Sequence, residues 1–208
     1  MRRPSSSTRN SRLHAVEDQA SRCTRCELHE QATQTVFGGG SATARLMLVG
    51  EQPGDKEDRA GKPFVGPAGS ILDRALDELG VERTHVYLTN VVKHFRWEAS
   101  GTRRIHKTPS TEHVRVCLPW FEQELAIVEP EVVVCLGAVA ARALLGSSFK
   151  LTRERGKFVT WDRPGLVLAT VHPASVLRSD DRQAAYTAFV RDLEVAVKAT
   201  RLSVPARA

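Results

Sequence analysis

Arg45-Leu46-Met47-Leu48-Val49-Gly50-Glu51-Gln52-Pro53-Gly54 sets an unbroken apolar run directly before a turn built from glycine and proline. No polar residue alternates within Leu46–Val49, the pattern of a short strand buried on both faces whose carboxyl end opens into a loop. Outward from it, Gly69 precedes a helix with Ile71, Leu72, Ala75, Leu76 and Leu79 at 3.6-residue spacing, stopped by Gly80. Further strands are predicted over His85–Val92, Glu131–Leu136 and Leu166–Val171. A small-residue helix spans Ala138–Leu145, and a final amphipathic helix over Gln183–Lys198 carries Ala185, Phe189 and Leu193 on one stripe.

Strands that alternate with helices, each strand an apolar run, predict an α/β fold: a three-layer αβα sandwich with a central, mostly parallel sheet. Ligands of such sheets bind beyond the carboxyl ends of the strands, where the unusual residues of this sequence fall. Lys93–Thr108 loses all periodicity and reads as a long polar loop. Thr108-Pro109 then reads as N-cap and first residue of a helix that Pro119 should kink or split.

With 208 residues and 41% hydrophobic composition, the chain can build one sizeable core. The expected organisation is a disordered basic arm over 1–12, a single domain over 13–200 and a tail over 201–208. Thirty Lys+Arg against 24 Asp+Glu give a net charge of +6, which suits a polyanion without choosing between DNA, RNA and membrane. No run of about 18 apolar residues exists, which excludes a spanning helix, and no dimerisation heptad appears, so a monomer is expected. Arg2-Arg3 is followed by the polar Pro4–Asn10 where a secretion signal needs an apolar segment, which points to the cytoplasm.

The four cysteines are the pair Cys23-Thr24-Arg25-Cys26, then Cys117 and Cys135. In a cytosolic chain of this size they read as metal ligands or core residues rather than as a disulfide framework. Four thiolates suit an iron–sulfur cluster or structural zinc, either of which would staple the N-terminal segment to the domain.

Four further motifs lie at strand ends and helix starts: Gly50-Glu51-Gln52-Pro53-Gly54, Lys62-Pro63-Phe64-Val65-Gly66-Pro67-Ala68-Gly69, Thr89-Asn90 and Val171-His172-Pro173-Ala174-Ser175. Each alone is a turn. As an ordered set, from Cys23 to about residue 197, they resemble the iron–sulfur uracil-DNA glycosylases of family 4. Gln52, where that family usually has alanine, and the inserted Gly101-Thr102-Arg103-Arg104-Ile105-His106 resemble an offshoot, the X-type glycosylases, which join a loop histidine covalently to DNA. Thr102 stands where the X-type loop usually begins with lysine, a weakened phosphate contact.

The resemblance implies excision of uracil from DNA, preferably single-stranded, followed by capture of the abasic sugar at C1′ by His106, with uracil released. It implies that Phe64 stacks on the flipped base, that Asn90 reads its Watson–Crick edge, and that His172 donates to O2 of the leaving base. Glu51 stabilises the sugar cation or activates the attacking group, and Gly50 and Gln52 line the pocket. Arg103, Arg104 and Lys107 grip DNA, and Cys23, Cys26, Cys117 and Cys135 bind a [4Fe–4S] cluster. The chemistry agrees at Asn90: an amide donates to O4 and accepts from N3–H of uracil, whereas cytosine presents the opposite pattern. The segment Lys93–Lys107 also suits DNA, with Lys93, Arg96, Arg103, Arg104 and Lys107 opposed only by Glu98 and interleaved with His94, Phe95 and Trp97. Two other readings remain: a turnover glycosylase in which His106 only contacts phosphate, and a non-catalytic, cluster-stapled DNA-binding module.

Overall fold

The structure, a computed structural model, describes residues 5–200. In chain order the elements are α1 (Ser6–Ala20), α2 (Leu28–Gln31), β1 (Gly39–Gly40), β2 (Leu46–Gly50), α3 (Asp55–Ala60), α4 (Pro67–Glu78) and β3 (Val86–Asn90). There follow β4 (Trp97–Ser100), β5 (Arg103–His106), α5 (Thr111–Val128), β6 (Val132–Leu136) and α6 (Ala138–Leu145). The chain continues through α7 (Leu151–Glu154), β7 (Phe158–Val159), β8 (Leu166–Thr170), α8 (Pro173–Leu177) and α9 (Arg182–Ala199).

The main sheet runs β1-β3-β2-β6-β8-β7, with the four central strands parallel and the short edge strands β1 and β7 antiparallel. Every residue of β2, β3 and β6 is buried, as the apolar runs require. Alternate residues feed two cores. Met47, Val49, Val133 and Cys135 pack with α1, α5 and α6, whereas Leu46, Leu48, Val132 and Val134 pack with α4 and α9. The fold is thus the α/β sandwich expected, helices on both faces of a mostly parallel sheet. From β2 the chain builds first toward β3 and later toward β6, so a crevice opens at the carboxyl ends of these strands.

Three expectations require correction. Residues 6–12, assigned to a disordered arm, belong to α1, where Arg9, Leu13, Val16 and Ala20 form one buried stripe at helical spacing. Arg9 is fully inside and donates to the Val128 carbonyl and to Glu129, so it caps the carboxyl end of α5. Residues 1–4 and the tail 201–208 lie outside the described residues. Second, α5 starts at Thr111 with Ser110 as its cap, not at Thr108, because the Ser110 hydroxyl accepts from the His113 amide at 3.2 Å. It also runs unbroken through Pro119, whose ring lies on the exposed side, where water can satisfy the carbonyl one turn back. Third, the polar loop contains an antiparallel hairpin, β4–β5, closed by a two-residue turn in which Gly101 adopts φ +59°.

Candidate active site

A cavity of about 720 Å³ opens at the carboxyl ends of β2, β3 and β8, lined among others by Glu51, Gln52, Phe64, Asn90, His106 and His172. Of the pocket residues named from the sequence, these six meet in the cavity, and Gly50 lies beneath it against Asn90 and Phe64. Glu51 follows β2 directly, Asn90 ends β3, and His172 follows β8 as the N-cap of α8. Gly50 makes the junction possible. A Cβ there would lie 2.3 Å from the Asn90 amide oxygen and 2.7 Å from the tip of the Phe64 ring, so the missing side chain leaves room for the two groups to meet.

Phe64 is buried and stacks with His172, ring centroids 6.2 Å apart and planes at 28°. Its backbone is in the left-handed region, φ +54°, a conformation that costs on the order of 1–3 kcal/mol for a non-glycine residue and signals a function or a compensating hold.

Burial pushes the Glu51 carboxyl up to about 7, a shift opposed by the Arg178 guanidinium. Its Oε1 is buried without a hydrogen-bond partner, and His106 Nε2 stands 3.6 Å from it. An uncompensated carboxylate oxygen in a cavity is a mark of chemistry rather than of stability. Burial of the ring and the positive charge of Arg178 hold His106 below its ordinary value, while burial, His106 and Arg178 bring His172 down to about 4. Both shifts favour the neutral imidazole. The Ala174 amide donates to His172 Nδ1 at 3.2 Å, so the ring's proton sits on Nε2, where it can be donated.

The hairpin that brings His106 to the cavity is tied to the body. Gln52 Nε2 donates to the carbonyls of Arg96 and Lys107, both at 3.1 Å, and its Oε1 accepts from the Arg96 amide at 3.2 Å. One glutamine thus grips both strands at the neck of the hairpin. Arg104 supplies the second tie, pairing with Asp55 and, at 2.6 Å, with the fully buried Asp58, while lying over Phe95 and Trp97.

These contacts redistribute the basic loop. Lys93 is fully buried and paired with Glu124 at 2.7 Å, and His94 and Phe95 are also inside, so none of the three faces DNA. Arg104 is 13% exposed and engaged with carboxylates, which makes it a brace rather than an open phosphate contact. Arg103 is exposed beside the turn, and Lys107 makes a surface pair with Glu98 at 2.8 Å. Arg178 and Lys56, which the sequence reading passed over, both line the cavity. The available signal for Arg178 was its place one turn beyond His172-Pro173.

The four cysteines are free thiols. Cys23, Cys26 and Cys117 are near enough to influence one another electrostatically, and Cys135 is fully buried in the same core. Among the described residues no three His, Cys, Asp or Glu side chains are gathered as a metal-holding group, so the expected four-thiolate site is not assembled by the side-chain positions themselves. The donor chemistry nonetheless fits. Trp120 Nε1 donates to Cys23 Sγ at 3.3 Å and the Lys93 amide to Cys117 Sγ at 3.2 Å, the hydrogen bonding that supports cluster thiolates. Burial pushes Cys117 up to about 11 and Cys135 up to about 12, so a thiolate at either place needs a cation beside it. Among the described residues no helix is long and apolar enough to cross a membrane.

Residues 37–194 match the profile of the uracil DNA glycosylase superfamily. The chain is 35% identical over 173 residues to the type-4 uracil-DNA glycosylase of Thermotoga maritima, covering 83% of this chain and 86% of that one. It is 31% identical over 201 residues to the type-4 enzyme of Sulfurisphaera tokodaii, covering 92% and 88%. The type-5 uracil-DNA glycosylase of Thermus thermophilus aligns over 125 residues at 34% identity, 53% of each chain.

Proposed function

Because the chain belongs to the uracil DNA glycosylase superfamily, we propose that it excises uracil from DNA, and that His106 then captures the abasic sugar covalently. The observation that carries the second step is the position of His106, 3.6 Å from an unpartnered oxygen of Glu51 in the cavity that holds Phe64, Asn90 and His172.

In this reading Phe64 stacks on the flipped base and the Asn90 amide pairs with O4 and N3–H. As the C1′–N1 bond breaks, its electron pair leaves with uracil, whose O2 is stabilised by the proton on His172 Nε2. Glu51, as carboxylate, faces the positive charge that grows at C1′. His106 Nε2 sheds its proton to Glu51 and its lone pair forms the new bond to C1′. An alkylated imidazole is a poor leaving group, so each molecule acts once. Arg103, Lys107, Lys56 and Arg178 are the cations placed to meet phosphate. Single-stranded substrate, a monomeric state and a cytoplasmic location complete the proposal and rest on the resemblance and the composition.

Cys23, Cys26, Cys117 and Cys135 would hold a [4Fe–4S] cluster. It would supply a structural link between the segment after α1, α5 and β6. Purified protein should then be brown and carry iron and sulfide; stoichiometric zinc without either would discard the cluster.

Denaturing electrophoresis with uracil-containing single-stranded DNA tests the whole reading. A retarded, heat-stable protein–DNA band is expected. Strand scission at abasic sites without that band would leave an ordinary turnover glycosylase, and neither product would leave a DNA-binding module.

A further inference from the structure

Phe64 holds a backbone conformation that its own side chain disfavours, so something outside it must fix that choice. Two charged side chains do so from opposite sides. Arg83, from the turn before β3, donates through Nη2 to the Pro63 carbonyl at 2.9 Å and to the Phe64 carbonyl at 3.0 Å, while its Nη1 pairs with Asp73 on α4. Glu57, buried on α3, accepts from the Gly66 amide at 2.7 Å and from the Gly54 amide at 3.1 Å. One carboxylate therefore joins the loop after Glu51 to the loop that carries Phe64. The fit is close on both sides: a Cβ at Gly66 would lie 2.9 Å from the Glu57 carboxylate, and one at Gly69 would lie 2.0 Å from the Phe64 carbonyl.

We infer that Glu57 and Arg83 are positioning residues for base recognition, holding Phe64 in its left-handed conformation so that the ring is already placed for the flipped base. The inference rests on the proposed stacking role of Phe64. Neither residue is assigned a contact with the base; Arg83 acts on the carbonyls of Pro63 and Phe64, and Glu57 on the Gly66 amide two residues further on. Their removal should let residue 64 relax toward the ordinary φ range, which swings the ring away from Gly50 and His172 and loosens the slot without emptying it.

Free uracil is the probe, its dissociation constant measured calorimetrically on the intact protein, with thermal melting in parallel. Phe64→Ala should weaken uracil by about 10-fold, the scale of one base–aromatic stack. Arg83→Met and Glu57→Gln should each weaken it by about threefold or more in the parent protein, and by less than about 1.5-fold when Phe64 is already alanine. That non-additivity is what action through the ring demands and what general loosening does not produce. Arg83→Lys keeps the charge beside Asp73 but lacks the guanidinium fork, and should fall between Arg83→Met and the parent. Arg83 is only half-buried, so its variants carry the test if Glu57→Gln does not fold. Equal losses in both backgrounds, or unchanged affinity in folded Arg83→Met while Phe64→Ala is weak, would overturn the inference and leave stacking intact. Unchanged affinity in Phe64→Ala would overturn stacking itself, and the inference with it.

Discussion

Two walls of the same cavity are held by different means. On one side Glu51, Asn90 and His172 lie at the carboxyl ends of parallel strands that are buried apart from Leu166 at the start of β8, so the sheet fixes their positions. On the other side His106 ends a hairpin whose own residues are largely exposed, and which is moored to the body by Gln52 and Arg104. The strand-end wall draws on the same packing that folds the chain. The hairpin wall draws on a few hydrogen bonds that can be removed singly. Excision, assigned to the first wall, and capture, assigned to the second, should therefore separate under mutation.

The largest separation should come from His106→Ser. The gel-stable adduct should disappear completely while base excision continues, with water completing the reaction and several turnovers per molecule. Loss of excision in a folded variant would place His106 on the wrong wall, and a surviving adduct would require another nucleophile.

Glu51 stands on the strand-end wall but serves both steps, so its replacement should not discriminate. Glu51→Gln should slow excision and capture together by about 10²–10³, the range for losing one electrostatic or general-base group. In the parent, both rates should rise with pH through about 7, because the carboxylate is the active form. Stability should move the other way. A folded value above the unfolded one means that the native state binds the extra proton, so stability is highest at low pH and is lost between about 4.5 and 7. Glu51→Gln should accordingly raise the unfolding free energy by about 2 kcal/mol at pH 8, read from denaturant melts.

Gln52→Ala should sharpen the contrast at smaller amplitude. It removes three hydrogen bonds from the hairpin neck and none from the strand ends, so capture should fall about 10-fold with excision changed less than about threefold. The ratio of adduct to free abasic product on one gel measures this. Parallel decline of both would mean that Gln52 serves the whole pocket.

The smallest effect separates two adjacent arginines. Arg103→Ala should lower the log–log salt slope of DNA binding by about 0.7, one phosphate contact on a single strand. Arg104→Ala should leave that slope unchanged and lower the melting temperature, because its partners are Asp55 and Asp58. A slope reduced equally by both would show that Arg104 leaves its carboxylates when DNA arrives.

The walls also differed in how far the sequence disclosed them. Leu46–Val49 and Val132–Leu136 could be read as strands because burial on both faces removes every polar alternation, and the motifs at their ends fell into the cavity together. Trp97–Ser100 and Arg103–His106 carry no such pattern. They pair with each other, and the tie that holds their neck is Gln52, more than forty positions earlier, which no local propensity records. Charge misled for the same reason. Lys93 and Arg104 look solvated in a basic run, yet their partners, Glu124 and Asp58, lie on other elements. In α1, a buried arginine among serines and one asparagine hid a helix whose apolar stripe is only three residues long, Leu13, Val16 and Ala20.

The neck of the hairpin is narrow. The Lys107 amide donates to the Arg96 carbonyl at 3.0 Å, so the chain leaves the body and re-enters it at residues already touching. At the far end Gly101 has open space around it, with nothing within 4 Å of the position a Cβ would take. A segment bounded this way is a cassette. It can be cut out by joining residue 96 to residue 107 without spanning a gap, or carried to another sheet that offers a glutamine below its neck and two aspartates for Arg104. Its tip can be lengthened or loaded with a peptide tag while His106, at the base, keeps its place. The nucleophile of the proposed capture step then becomes a transferable part rather than a property of the whole fold.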